Sequence, residues 1–149
     1  MSNEKKTQAA LIDAAKTFLT EGDTPTLPLA SIAWENRIFD DSGKNIWSSF
    51  KYTPNQPIAR TIGNGGFDDL TGFIQIDFNI PTNSGDYVLR EWEDKGREFF
   101  TSGTRFENGG HSVLVTSAGM SQGRVVENYF RKSLTVGFKS QLKRKQTTT

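Results

Sequence analysis

Cysteine is absent from all 149 residues of this sequence, which removes disulfides, thiolate catalysis and cysteine-ligated zinc from consideration. Histidine is almost as scarce. His111 stands alone in Asn108-Gly109-Gly110-His111, and one imidazole without cysteines cannot build a structural zinc site. Nor does one sign of charge prevail. Eighteen Lys and Arg face 17 Asp and Glu, so no global field draws the chain to nucleic acid or to a membrane. Long apolar runs are missing too: no window approaches the roughly 20 apolar residues that span a bilayer. The start, Met1 to Gln8, leads into no stretch resembling a signal peptide. These absences predict a soluble chain of cytoplasmic origin, without membrane contact.

The motifs of chemistry fail one by one. Gly43-Lys44 is followed by Asn45, and Ile38 stands where a P-loop needs its first Gly. Gly63-Asn64-Gly65-Gly66 has Asp68 where the dinucleotide fingerprint needs a third Gly. His111 has no Gly-x-Ser-x-Gly elbow for company. A loop His near a strand start reads as a surface or hydrogen-bonded residue rather than a general base. Asp40-Asp41 and Asp68-Asp69 lack the alternating ligands and closing Glu of an EF-hand, and read as solvated turns. The expectation is a protein that is not an enzyme and takes no cofactor or metal.

Aromatics are plentiful: 11 Phe, 3 Trp and 3 Tyr supply large apolar surfaces to a core. The length suits one domain and buries a core without crosslinks. Residues 3–20 read as a helix whose stripe is Leu11, Ala14, Ala15 and Phe18, widened by Ile12 and Leu19. Gly22 serves as its terminator, and Pro25 and Pro28 hold an extended linker toward a sheet edge. Residues 30–39 read as a first strand, 40–45 as a turn, and 46–52 as a return strand. A further segment spans 59–62. The clearest strand is 73–80, with Ile74, Ile76, Phe78 and Ile80 on a buried face and Gln75, Asp77 and Asn79 on a polar one. Ser84 is placed to cap a second helix over 86–100, with Val88, Leu89, Trp92, Phe99 and Phe100 as its stripe. Gly96 on that side permits close approach to the sheet. Strands over 112–116 and 125–138 follow, with 117–123 between them as a turn. The order predicts an α+β fold, a largely antiparallel sheet with two helices packed on one face plus long loops. Residues 1–138 form the single domain, and 139–149 a basic polar C-terminal tail.

Three places stand out as candidate contact surfaces. Trp34 reads as a core residue of the first strand, with Glu35 and Asn36 beside it as an edge contact. The Gly-rich stretch Gly63, Asn64, Gly65, Gly66 with Asp68 and Asp69 reads as a hairpin or arm that a neighbouring subunit orders. Lys139, Lys143, Arg144 and Lys145 place four cations in seven residues. They read as a solvated tail or subunit contact, since no aromatics are interleaved as a single-strand-binding surface needs.

The stretch around Trp34 resembles a known family. Ile32-Ala33-Trp34-Glu35-Asn36, followed by Phe39, is similar to the signature of small minor tail proteins related to the tail terminators of long-tailed phages. Thr71-Gly72-Phe73-Ile74-Gln75-Ile76-Asp77 resembles the family's central strand, and the aromatic-rich stretch from Tyr129 to Phe138 its final one. The match covers 27–138. It implies a structural virion protein of the tail or neck, with no catalytic residues. The implied product is a homo-oligomeric, hexameric ring that caps the tail tube and stops tube-protein polymerisation. Such a ring presents a surface to the head-tail connector or stopper and lets DNA pass through its lumen. A tail-tube or head-tail neck adaptor protein shares these features, and the basic tail keeps a DNA-binding accessory protein as a third reading.

Overall fold

Helix α1 (Asn3–Glu21) forms on the stripe that the sequence lays out. Thr7, Ala10, Leu11, Ala14, Ala15, Phe18 and Leu19 are its buried residues, one turn apart along a single face. The structure, a computed structural model, describes residues 3–21, 26–35, 37–41, 45–60 and 66–143; the terminator role given to Gly22 lies outside them, as does Pro25. Strands β1 (Ile32–Ala33), β2 (Trp47–Pro54), β3 (Ile58–Ala59) and β4 (Phe67–Pro81) precede helix α2 (Tyr87–Phe99). Strands β5 (Arg105–Asn108), β6 (His111–Met120), β7 (Arg124–Val126) and β8 (Tyr129–Lys143) follow it. They form one sheet in the order β1-β2-β4-β8-β6-β5, with β3 paired to β4 and β7 to β8. Every pairing is antiparallel except β1 with β2.

Both helices lie on the face that carries Ile74, Ile76, Phe78 and Ile80. Phe78 stacks on Trp92 of α2 at 4.6 Å and meets Phe18 of α1 edge-on at 6.3 Å. Phe18 also touches Phe99 and Phe100 at 5.5 Å each. One aromatic knot therefore ties both helices to the central strand, the arrangement in which aromatic pairs add to plain area burial. Gly96 works as its position suggests: a Cβ there would lie 2.9 Å from Leu134 Cδ2.

The boundaries depart from the sequence reading in ways that have physical causes. The strand expected over 30–39 shrinks to Ile32–Ala33, because a 3-10 turn takes Leu29–Ser31 and the chain turns away at Trp34. β2 is no hairpin return. It runs parallel to β1, and residues 34–46 supply the connection of about a dozen residues that a parallel pair needs. Ser84 is not the cap of α2: Asp86 is, without a side-chain cap bond, while Ser84 Oγ donates to the Pro81 carbonyl at 2.7 Å. Asn79 belongs to the face away from the helices yet is fully buried, since Arg131 Nε donates to its Oδ1 at 2.6 Å. The stretch 117–123 begins as strand. β6 continues past a bulge between Val115 and Ser117, where the small residues fit against Gly137. Residues 125–138 are split by a turn at Glu127, which has φ 55°, into β7 and β8.

β8 also outlasts its apolar alternation. Residues 139–143, assigned to a tail by their polarity, pair with β4 through Lys143 opposite Phe67. Phe138 and Ser140 are buried on the helix side and Leu142 packs against the core; a polar Ser140 at an inward position hides the continuing period of 2. β5 is inconspicuous in the sequence for a similar reason, being four residues with exposed Arg105 and Glu107. Its signal was the turn: Gly109 and Gly110 both have positive φ, 57° and 80°, as a two-residue hairpin between paired Asn108 and His111 requires.

Candidate assembly surface

At one margin of the sheet, β1 pairs only with Ser48 and Ser49 of β2, and among the described residues no other strand pairs with that side of β2. Trp34 follows β1 rather than lying on it, and packs its ring on Phe50 at 5.4 Å, tilted by 50°. Glu35, exposed, bends back so that its carboxylate accepts the backbone N–H of Tyr52. A side chain thus takes the place that a neighbouring strand's carbonyl would hold. Asn36 lies outside the described residues. Between α1 and this margin runs a groove of about 720 Å³, lined by Ile12, Leu29, Trp34 and Phe50 with Asp13, Lys16, Glu35 and Arg37 at its rim. The next residue, Ile38, is fully exposed. Beneath the margin, burial and then the Glu4 charge push the Tyr52 phenol up to about 12.

The second candidate group is divided. Gly63, Asn64, Gly65, Arg144 and Lys145 lie outside the described residues, as does the side chain of Lys143. Gly66 is buried and leads into β4. Asp68 and Asp69 are not solvated turns but strand residues paired with β3 and β8. Asp69 is 4% exposed. Arg60 Nε donates to its Oδ2 at 2.6 Å, and Lys139 Nζ lies 3.6 Å from the same oxygen. The Arg60 hydrogen bond, followed by the Lys139 charge, holds the Asp69 carboxyl below its usual range against the opposing effect of burial. Lys139 is therefore engaged within the fold, and the basic cluster read from the sequence does not present all four charges as one free patch. Trp34 and Glu35 belong to the sheet margin, whereas Asp69 and Lys139 belong to its interior strands.

His111 is held rather than displayed. Its Nε2 lies 2.8 Å from Thr7 Oγ1 and 2.6 Å from Ser140 Oγ. Thr7 and Ser140 are both buried, so the three side chains pin α1 to β6 and β8. Burial, and then the Lys6 charge, depress the imidazole below its usual value. The contact of Ser140 with His111 is no exposed nucleophile: Ser140 is 3% exposed and also reaches the Ser112 carbonyl at 3.3 Å. This polar clasp was invisible in the sequence, where Thr7, His111 and Ser140 are far apart. Among the described residues no group of three or more His, Cys, Asp or Glu is placed to hold a metal ion, and no helix is long and apolar enough to cross a membrane.

The face away from the helices carries a second polar network. Asp77 accepts hydrogen bonds from Ser133 Oγ at 2.5 Å, Gln75 Nε2 at 2.8 Å and Ser49 Oγ at 3.3 Å. Arg131 bonds Asn79 and stands over Trp47 at 6.0 Å. Asp77, Asn79, Ser133 and Arg131 satisfy one another, which fits a structural role for the strand face, while Trp47 Nε1 has no hydrogen-bond partner among the described residues.

The family model for phage tail terminator proteins matches residues 7–138. Eight chains of solved structures share the fold. One superposes with a TM-score of 0.68 at 19% identity, over 91% of this chain and 96% of that one, a likeness of fold alone. No curated protein matches the sequence.

Proposed function

The chain belongs to the phage tail terminator family, a structural family of the phage tail, and on that premise we propose that it forms a closed ring on the end of the tail tube. The ring, of six copies by the family resemblance, stops further tube subunits from adding and offers its far side to the head-side connector or stopper. DNA passes through its lumen.

One observation carries this reading beyond the family. The sheet ends in two unlike margins, β1 with the uncovered part of β2 at one end and β5 at the other. Unlike surfaces that complement each other make a heterologous contact, and such contacts close into rings when the rotation between copies allows. A sheet whose two margins were both sealed would give no such repeat.

The activity is tested by polymerising the tail-tube protein with and without this chain and measuring tube lengths by electron microscopy. The reading expects tubes capped at one end and a narrowed length distribution. Incorporation along the tube wall would instead identify a tube subunit, and binding to the head connector alone a neck adaptor.

A further inference from the structure

The geometry points to a specific joint: we propose that β5 of one copy adds, in parallel, to the uncovered stretch of β2 (residues 50–54) on the next copy, displacing the Glu35 carboxylate from the Tyr52 N–H. This rests on the ring reading above and names the surfaces that would make the ring.

Two independent features of the sheet agree on the joint. The first is direction. Following the pairings across β1-β2-β4-β8-β6-β5, with one parallel pair and four antiparallel ones, β5 runs the same way as β1 and β2. Copies repeated around a ring therefore bring β5 alongside β2 in parallel.

The second is hydrogen-bond phase. Tyr52 N–H points away from β4, toward Glu35, so even-numbered residues of β2 face the open margin. Asn55 N–H, an odd one, bonds Thr71 on β4 at 2.8 Å. On β5 the phase is reversed. Thr104 accepts from Val115 N–H at 2.8 Å, so even residues face β6 and Arg105 and Glu107 face outward. In a parallel pair a residue bonds to the two residues flanking its opposite number. Tyr52 then lies opposite Phe106, bonding the Arg105 carbonyl and the Glu107 N–H.

That register keeps the faces matched. Tyr52 stacks on Phe138 on the helix side, and Phe106 stacks on Phe99 of α2, also on the helix side. An antiparallel joint would set Tyr52 opposite Arg105 or Glu107, turning one copy's core face over. Rotation about a ring axis cannot do that.

The local chemistry fits a second copy as the occupant. Glu35 already mimics a strand carbonyl, as strand addition by a neighbour would supply. Pro54, two residues beyond Tyr52, faces the same margin without an N–H, so the backbone joint centres on Tyr52 and ends at Pro54. Exposed Lys51 and Glu35 on one side meet exposed Arg105 and Glu107 on the other, two charges of each sign. Until a neighbour arrives, the charged side chains guard both margins against indiscriminate pairing.

The test uses the full chain. Glu107→Pro deletes an outward N–H without touching the β5–β6 ladder. It is expected to keep the wild-type circular dichroism and monomer unfolding midpoint, while the concentration needed for ring assembly rises about tenfold or more. In a chain without native cysteine, the pair Thr53→Cys and Glu107→Cys, opposite each other in this register, should oxidise to a covalent ladder ending at ring size, with each single variant giving dimers at most. Should Glu107→Pro unfold the hairpin, the cysteine pair alone decides. Glu107→Pro chains that assemble as well as wild type, or rings of the cysteine pair that resist the cross-link, overturn the joint and leave the ring standing. A chain that stays monomeric and leaves tube length unchanged overturns both.

Discussion

Two glycines offer the same substitution with opposite expected outcomes. Gly72 lies on β4 where β2 and β8 close around it: a Cβ would sit 2.5 Å from the Thr53 carbonyl oxygen, 2.8 Å from Pro54 Cα and 3.0 Å from Phe138 Cζ. The first two are backbone atoms, fixed by the eight-residue pairing of β2 with β4, so relief requires moving a strand. Overpacking of this kind costs about 1–3 kcal/mol, and backbone obstruction puts Gly72→Ala near the upper end. Gly96 on α2 meets the tip of a leucine at 2.9 Å, which can rotate aside. Replacing a mid-helix Gly by Ala also gains about 1 kcal/mol of helix propensity. Gly96→Ala should therefore stay within about 1 kcal/mol of wild type, set against the overpacking cost. Thermal unfolding followed by circular dichroism measures both. The midpoint temperature should fall by roughly 10 °C for Gly72→Ala and by a few degrees at most for Gly96→Ala. A Gly72→Ala variant as stable as wild type, or a Gly96→Ala variant the less stable of the two, would refute the register of the central strands.

Other perturbations follow from the same geometry. Trp92→Ala removes the ring stacked on Phe78 and should cost about 3–5 kcal/mol in denaturant unfolding. Tyr52→Phe deletes a buried hydroxyl that has no hydrogen-bond partner among the described residues; the variant should match wild type or gain about 1 kcal/mol, and a clear loss would show that the hydroxyl is satisfied. His111 is depressed in the native state, so folding favours its neutral form. Its share of stability is intact above the unfolded value near 6.5. It is lost progressively as pH falls through that value toward the lower native one, and a His111→Gln variant should lose that slope in a stability-versus-pH series. Asp69 is also depressed, but as an acid. Its stabilisation is present above the unfolded value of 3.8 and is lost as pH falls toward the native value, so Asp69→Asn should flatten the acid limb of the unfolding profile.

The helices and the central strand were legible because their periods are uninterrupted. Leu11, Ala14, Ala15 and Phe18, and Ile74 through Ile80, repeat at 3.6 and 2 residues with few exceptions. What failed to show was decided by partners distant in sequence. A parallel β1–β2 pair depends on where a long connection returns, and nothing in residues 30–39 encodes that. The extension of β8 is masked by Ser140, a polar residue at an inward position because Thr7 and His111 bond it. Asp69 looks like a turn residue until Arg60 and Lys139 come to its carboxylate. The contact candidates were legible in part. Glu35 stood out beside Trp34, yet its role at the Tyr52 N–H appears only once β2 is in place, and β5 gave no apolar pattern by which to notice the opposite margin.

The central claim is a closed ring, and native mass spectrometry of the purified chain tests it most directly. The account predicts one sharp oligomer, six copies by the family resemblance, with no continuous series of larger species. A monomer that persists at concentrations of tens of micromolar, about the range of a modest protein–protein affinity, would contradict it.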